Sequence, residues 1–374
     1  MNSIISINSA LYRLRDSLGE DDYLEPLTIL IESLKKEANL SFFGSLAVMY
    51  LINNQLRTRS KVYDFIKNHH STNPSPPIFI MGLPRSGTTF LFHLLGQDSN
   101  HRSPSFWEIL HLFPLNKKGS NKELKTIRRT DFELSLLNKL VPEINLLHPI
   151  HSDFPEECTL LTALGIKSYS YIYMANVLSY QEFLQNSDFS SAFLWHSRFL
   201  QVLEKNKKPL RWLLKDPNHL EHLKEILTIY PEAHFIHIHR DPTEALGSIC
   251  SITSKVRKGF SKKVDKLLIG KHTLSYWENA MNKYFVGRSL VSKKRIFDLQ
   301  YKDLISNPIE QIKLIYSHFG YELGIKKENV MRKFLNQPSR LKKGKHIYAL
   351  EDFGLTKGLI REKFDRYISE KVDI

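Results

Sequence analysis

Gly82-Leu83-Pro84-Arg85-Ser86-Gly87-Thr88-Thr89 sets two glycines five positions apart, with an arginine between them and two hydroxyls behind. This is the spacing of a phosphate-binding loop. Backbone N–H groups converge there on an anion, and the N-terminus of the following helix adds its dipole. Thr88 stands where a nucleoside-triphosphate loop needs lysine, and no acidic strand end follows to hold Mg²⁺. Both features count against a P-loop kinase or NTPase, which remains the alternative enzyme reading. Arg85 adds a planar, permanently charged fork suited to phosphate or sulfate. A second constellation is Arg240 with Ser248. With Asp241 as a helix N-cap, Ser248 falls on the face of the cap and Arg240 lies just outside the helix. A phosphate in that groove receives charge-assisted bonds from guanidinium and hydroxyl. The competing reading is a surface arginine and a serine bonded to its own backbone.

These residues need a frame. Ile78–Met81 is a short apolar run ahead of the loop, and Phe90–Leu95 reads as helix behind it. Further strands are expected at 212–214, 234–238 and 295–299, each followed by a helix. Asp241-Pro242-Thr243-Glu244 and Asn307-Pro308-Ile309-Glu310 carry the residues of a helix start with a capping box; Asp216-Pro217 is a looser version. Strands alternating with helices predict an α/β fold: a P-loop-type parallel sheet flanked by helices, with its ligand at the C-terminal strand edge. Residues 1–75 read as a helical N-terminal extension closed by Pro74-Ser-Pro76-Pro77. Residues 76–374 read as the catalytic domain, with a mostly helical insertion from about 100 to 210 on the acceptor side.

Charge narrows the partner. Lys and Arg number 53 against 39 Asp and Glu, a formal net charge of +14. The excess favours an anionic ligand, an acidic substrate or a membrane surface. Nucleic acid is disfavoured, because no basic motif is interleaved with aromatics. Cys158 and Cys250 form no metal-ligand or disulfide pattern, which fits a reducing compartment. The N-terminus lacks the charge order of a signal peptide, so a cytoplasmic location is expected. The apolar stretch Leu40–Ile52 is too short to span a bilayer and reads as a buried or surface-lying helix.

The motifs in order resemble those of the PAPS-dependent sulfotransferases, where PAPS is 3′-phosphoadenosine-5′-phosphosulfate. Pro84–Thr89 resembles the loop that holds the 5′-phosphosulfate, with arginine at 85 as in tyrosylprotein sulfotransferases and a broad bacterial group. Phe235–Pro242 followed by Ser248 looks like the 3′-phosphate motif. Trp212–Leu220, Asp298–Leu304, Asp153–Glu157 and His346–Leu355 are similar to further blocks of the bacterial group. The resemblance implies PAPS as donor, PAP (adenosine 3′,5′-bisphosphate) as product, no metal, and Arg85, Ser86, Gly87, Thr88, Thr89, Arg240 and Ser248 on the nucleotide.

Sulfuryl transfer is an in-line displacement in which positioning and charge stabilisation dominate. Arg85 and Lys215, the latter matching a lysine of the Lys-Asp-Pro block, are the implied cations on the bridging oxygen. The acceptor hydroxyl needs a base. Glu108 matches the catalytic glutamate of tyrosylprotein sulfotransferases; Asp153, Glu156, Glu157, His148 and His151 compete. The acids at 153–157 equally suit a helix start. Gly344 and Lys345, in the basic run from Arg340, fall where related enzymes close a loop over the nucleotide; a solvated charge run is the other reading. The apolar stripe Tyr169, Tyr171, Ile172, Tyr173 and Met174 favours a hydrophobic hydroxyl acceptor, though such stripes also build cores. A non-catalytic nucleotide- or membrane-surface-binding protein stays open as the alternative outside enzymes.

Overall fold

A computed structural model describes residues 14–69, 72–112, 120–147, 149–337 and 348–372. The chain divides into two compact units, each assembled from separated stretches.

One unit comprises the residues up to Pro74 with Pro104–Lys208 and Lys255–Val264. It is helical, with principal helices Leu24–Lys36, Phe42–Asn68, Asn121–Leu140 and Ser190–Glu204. Their starts follow local chemistry: the Ser41 and Ser120 hydroxyls accept from the backbone N–H of Gly44 and Glu123. At its centre lies a charge rather than an aliphatic. Arg59 is fully buried between the rings of Trp195 and Tyr23. Its guanidinium donates to the carbonyls of Leu18, Glu20 and Leu164 and pairs with Asp22 at 2.5 Å. A buried charge survives only when so fully bonded, and removal of its partner typically costs about 3–5 kcal/mol.

The other unit comprises Ser75–Ser103, Pro209–Ser254 and Asp265–Ile374. Its core is a five-stranded parallel sheet in the order β2-β3-β1-β4-β5. The strands are β1 (Pro77–Met81), β2 (His101–Arg102), β3 (Arg211–Lys215), β4 (His234–His239) and β5 (Ile296–Gln300). Every residue of β1 is buried, as a central parallel strand covered on both faces requires. Ile78, Ile80, Leu213, Ile236 and Ile238 pack on one face against Leu91, Leu94, Ile312 and Ile315. On the other face Phe79 stacks on Phe235 and meets the edge of Tyr230. Each fully buried side chain of this kind contributes roughly 1.5–3 kcal/mol. In register, Ile80 opposes Lys215 on β3 and Ile236 on β4. The C-terminal ends of β1, β3 and β4 thus converge on one edge. The four expected strands and the parallel α/β sheet are present; the two-residue β2 is an addition.

Two helix starts differ from expectation. Asp241 does cap, its Oδ1 accepting from Thr243 N at 2.8 Å, but Glu244 turns its carboxylate to Arg240 instead of closing a box. Asn307 makes no side-chain cap. The reciprocal capping box forms at Ser105 and Glu108.

Candidate functional site

The loop between β1 and the helix Thr88–Leu95 is shaped by two glycines in the left-handed half of backbone space. Gly82 has φ 151°, and a Cβ there would lie 2.5 Å from the Ile238 carbonyl oxygen and 2.7 Å from Ser86 Oγ. Gly87, the helix N-cap, has φ 90°. Between them Arg85 adopts φ 74°, which a side-chain-bearing residue holds only under strain. Ser86 N donates to Leu83 O at 3.1 Å and folds the loop back on itself. Ser86 is fully buried, yet its Oγ has no hydrogen-bond partner among the described residues. A buried orphan hydroxyl, beside a helix start whose first N–H groups point outward, is what an anion-binding loop needs.

Three cations surround this loop. Lys215 ends β3, is 1% exposed, and sets Nζ 3.5 Å from Thr89 Oγ1. Lys215 thus ends a strand as expected, and it is buried. Burial, then the neighbouring Arg240, lowers the Arg85 guanidinium from its usual pKa, although an arginine so placed remains charged. Arg240 follows β4 and is held three ways. It donates to the Arg85 carbonyl, pairs with Glu244 Oε2 through Nε at 2.9 Å and Nη2 at 2.8 Å, and lies over the Tyr301 ring at 4.1 Å. Ser248 is buried one helical turn beyond Glu244, in the same helix row as Glu244. Tyr348 donates to the Glu244 carbonyl at 3.1 Å. The structure therefore brings Arg85–Thr89, Lys215 and Arg240 into one neighbourhood and adds Tyr301 and Glu244. Glu244 as the partner of Arg240 was missed in the sequence, although its i, i+4 spacing from that arginine was the signal that could have found it.

Behind Arg240 lies a buried polar cluster. His239 Nε2 bonds Asp298 Oδ1 at 2.9 Å, and Arg288 approaches Oδ2 at 3.3 Å. The Tyr367 hydroxyl lies 3.3 Å from His239 Nδ1 and accepts from Arg240 N at 3.4 Å. Burial works to raise the Asp298 carboxyl. The His239 bond and the charges of His237, His239 and Arg288 outweigh it and hold the group far below its usual range. Burial is the largest influence on both histidines and pushes them below the usual imidazole range. His237, His239 and Asp298 offer ligand atoms within 4.8 Å of one another. Arg288 and Lys371 already make that neighbourhood positive, which opposes a divalent cation.

The candidate bases belong to the helical unit. Glu108 is half-buried, and its Oε2 accepts from both N and Oγ of Ser105 at 2.9 Å. Phe106 N donates to Phe154 O, Trp107 N to Ser152 O and Glu156 N to Pro104 O. The stretch 153–157 is consequently not a helix start; its backbone pairs with 104–107, and the helix begins at Thr159. The structure thus sets Glu108 and the acidic stretch on adjoining segments. Glu156 is buried, with Oε1 accepting from Glu157 N at 2.8 Å, whereas Asp153 and His151 are exposed. Tyr169 and Tyr171 of the apolar stripe are core residues, one stacked on Phe189 and the other bonded to Gln55. His148, Lys343, Gly344 and Lys345 lie outside the described residues.

A central parallel strand feeding a glycine-bounded loop, with arginines and a buried lysine at the same sheet edge, makes this an α/β protein whose C-terminal sheet edge gathers positive charge. The chain belongs to the sulfotransferase family, which it matches over residues 76–324. It is 29% identical over 264 residues to the omega-hydroxy-beta-dihydromenaquinone-9 sulfotransferase Stf3 of Mycobacterium tuberculosis. That match covers 66% of this chain and 63% of the relative, so somewhat less than two thirds of the relative's length is spanned. Among solved structures, the sulfotransferase STF1 from Mycobacterium tuberculosis superposes with a TM-score of 0.82 at 28% identity, covering 96% of each chain. The sulfotransferase STF9 from Mycobacterium avium shares the fold, with a TM-score of 0.82 at 24% identity over 98% of this chain and 97% of the other. No described helix is long and apolar enough to cross a membrane.

Proposed function

We propose that the protein transfers a sulfuryl group from PAPS to a hydroxyl of an apolar acceptor, releasing PAP. The observation that carries this reading is the loop itself: a buried Ser86 hydroxyl with no partner among the described residues, in a loop that carries Arg85 and is touched by Arg240 and buried Lys215. These residues fit a ligand bearing phosphate at both ends. Ser86, Gly87, Thr88 and Thr89 would hold the 5′-phosphosulfate through backbone N–H groups and hydroxyls, with Arg240 and Ser248 on the 3′-phosphate. PAPS supplies the activated sulfuryl group and its phosphate leaving group. Arg85 and Lys215 stabilise charge as it develops on the bridging oxygen. Glu108 is proposed to take the acceptor proton, with Glu156, Glu157 and Asp153 on the adjoining segment as alternatives. The similarity to a dihydromenaquinone sulfotransferase supports a lipid-soluble alcohol as acceptor.

Thermal unfolding with PAP, against ATP at the same concentration, tests the reading. A site selective for PAP should raise Tm by about 3 °C at hundredfold saturation and leave ATP with little effect. Equal stabilisation by ATP, or none by PAP, would remove the basis for a PAPS-dependent transfer.

A further inference from the structure

We propose that the face shared by the helices Phe42–Asn68 and Asn121–Leu140 docks on an anionic lipid bilayer. Phe42 and Phe43 are 71% and 68% exposed, and Leu46 and Tyr50 continue the same face of the first helix. Phe132 and Leu136, also exposed, form a matching pair on the second. The two helices are tied at this point. Tyr50 donates to Glu133 Oε1 at 2.7 Å, Arg129 approaches the Tyr50 hydroxyl at 3.4 Å, and Leu51 and Leu137 pack against the cluster of Phe106, Leu110 and Leu134. The exposed residues therefore lie side by side on one unit. A contiguous apolar patch of this kind is uncommon on a surface that faces only water.

Its borders are basic. Gly44 lets the first turn of the long helix press on the chain at Phe260, because any Cβ there would collide with the Phe260 carbonyl oxygen. Ser41 N donates to Phe260 O at 2.8 Å and Lys262 N to Asn39 O at 2.9 Å. Exposed Lys262 and Lys263 are thereby carried to the end where Phe42 and Phe43 stand. Farther along the same helix face come Arg57 and Lys61. Arg129 and Arg57 act on Lys61, whose pKa is lowered by burial first and then by these two charges. Arg129 is offset by Glu133 at 2.9 Å, whereas the remaining like charges repel one another and the exposed aromatics contact water; both costs are relieved at a negatively charged lipid surface. Apolar side chains enter the headgroup boundary there while lysines and arginines meet anionic phosphate. The purpose assigned to this surface, delivery of an apolar acceptor, rests on the function proposed above; the surface itself does not.

Co-sedimentation of the full chain with phosphatidylcholine vesicles, with and without phosphatidylglycerol, tests the proposal. Binding should require the anionic lipid and fall as salt rises. Phe42→Ser with Phe43→Ser, both at exposed positions, should weaken it at least tenfold. Lys262→Glu with Lys263→Glu should do the same independently, at roughly fivefold per charge. Both pairs should keep PAP-induced stabilisation, so a failure of the nucleotide reading would show in the wild type and leave the vesicle result standing. Equal binding to neutral vesicles, or no binding, overturns the proposal. So does a wild-type dimer by sedimentation velocity that the phenylalanine variant dissociates without changing vesicle binding, which would assign the face to a second copy of the chain.

Discussion

Replacing Arg240 with alanine should separate the two ends of the nucleotide site. In the structure its guanidinium already has occupations: the Arg85 carbonyl, Glu244 and the Tyr301 ring. The ion pair with Glu244 is partly exposed, the two side chains retaining 22% and 58% of their accessible surface. Such a pair is worth at most about 1 kcal/mol, so a 3′-phosphate can take the arginine from it. A charge-assisted bond to that phosphate is worth roughly 1.5–3 kcal/mol, or about 10- to 150-fold in affinity. Loss of the brace on the Arg85 carbonyl adds about 0.5–1.5 kcal/mol, near 2- to 12-fold, and falls on any ligand of the loop. Adenosine-5′-phosphosulfate, which lacks only the 3′-phosphate, should therefore lose only the smaller factor in Arg240→Ala, while PAP loses both. Arg85→Ala should weaken the two ligands alike. Glu244→Gln should tighten PAP by up to about fivefold by removing the competitor. Calorimetric titration of both nucleotides against the three variants measures all of this. Equal losses for PAP and the precursor in Arg240→Ala would refute the reasoning and move the 3′-phosphate elsewhere, most directly to Lys343–Lys345.

Glu108→Gln preserves an acceptor for Ser105 and hence most of the capping box, since glutamine also serves at that position. If Glu108 is the base, kcat should fall by roughly 10²–10⁴ with Tm nearly unchanged; wild-type turnover beside a dead Glu156→Gln or Glu157→Gln would hand the proton to the acidic stretch. Turnover should survive excess EDTA, because Arg85, Lys215 and the loop amides supply the positive charge; activity abolished by chelation and restored by Mg²⁺ would contradict the assignment. Stability should fall as the solution is acidified from pH 6.5. Burial lowers His196 to about 3, and burial with nearby Arg295 and Arg211 lowers His234 to about 4, against about 6.5 unfolded. The unfolded chain then binds more protons below pH 6.5, so this stability is complete above that value and is lost at about 1.4 kcal/mol per pH unit for His196. A Tm that stays flat between pH 6.5 and 5 would show these rings to be charged in the fold.

What could be read from the residues was local. The run from Pro77 to Leu95 announces itself because strand, loop and helix signals follow one another without interruption. The strands at 211, 234 and 296 were legible for the same reason, each apolar run ending at a cap or a turn. What stayed hidden depends on distant partners. β2 has two residues, too few for any period, and exists only because Arg211 and Trp212 pair with it. The acids at 153–157 look like a helix start until 104–107 claims their backbone. Arg59 sits in a helix whose periodicity gives no hint that a guanidinium is the core residue, since Leu18, Glu20 and Leu164 complete its bonding from elsewhere in the sequence. Glu108 shows the same limit from the other side: its spacing from Ser105 suits a cap, and its place in the family motif suits a base.

The strand order also sets a timetable. β1 is the central strand, yet both of its neighbours are made long after it: Ile78 pairs with Leu213 on one side and His234 on the other. At about 5–20 residues per second of synthesis, β1 waits on the order of ten seconds for its first partner. During that interval the apolar run Ile78-Phe79-Ile80-Met81 has no strand to pair with and its edges are open. The helical stretches from 24 to 68 and from 121 to 204 emerge before β3 does, and their largely local contacts can form during the delay. A newborn chain stalled before residue 211 would therefore carry helices, no nucleotide loop of defined shape, and a hydrophobic strand exposed to whatever chaperone or neighbouring chain reaches it first.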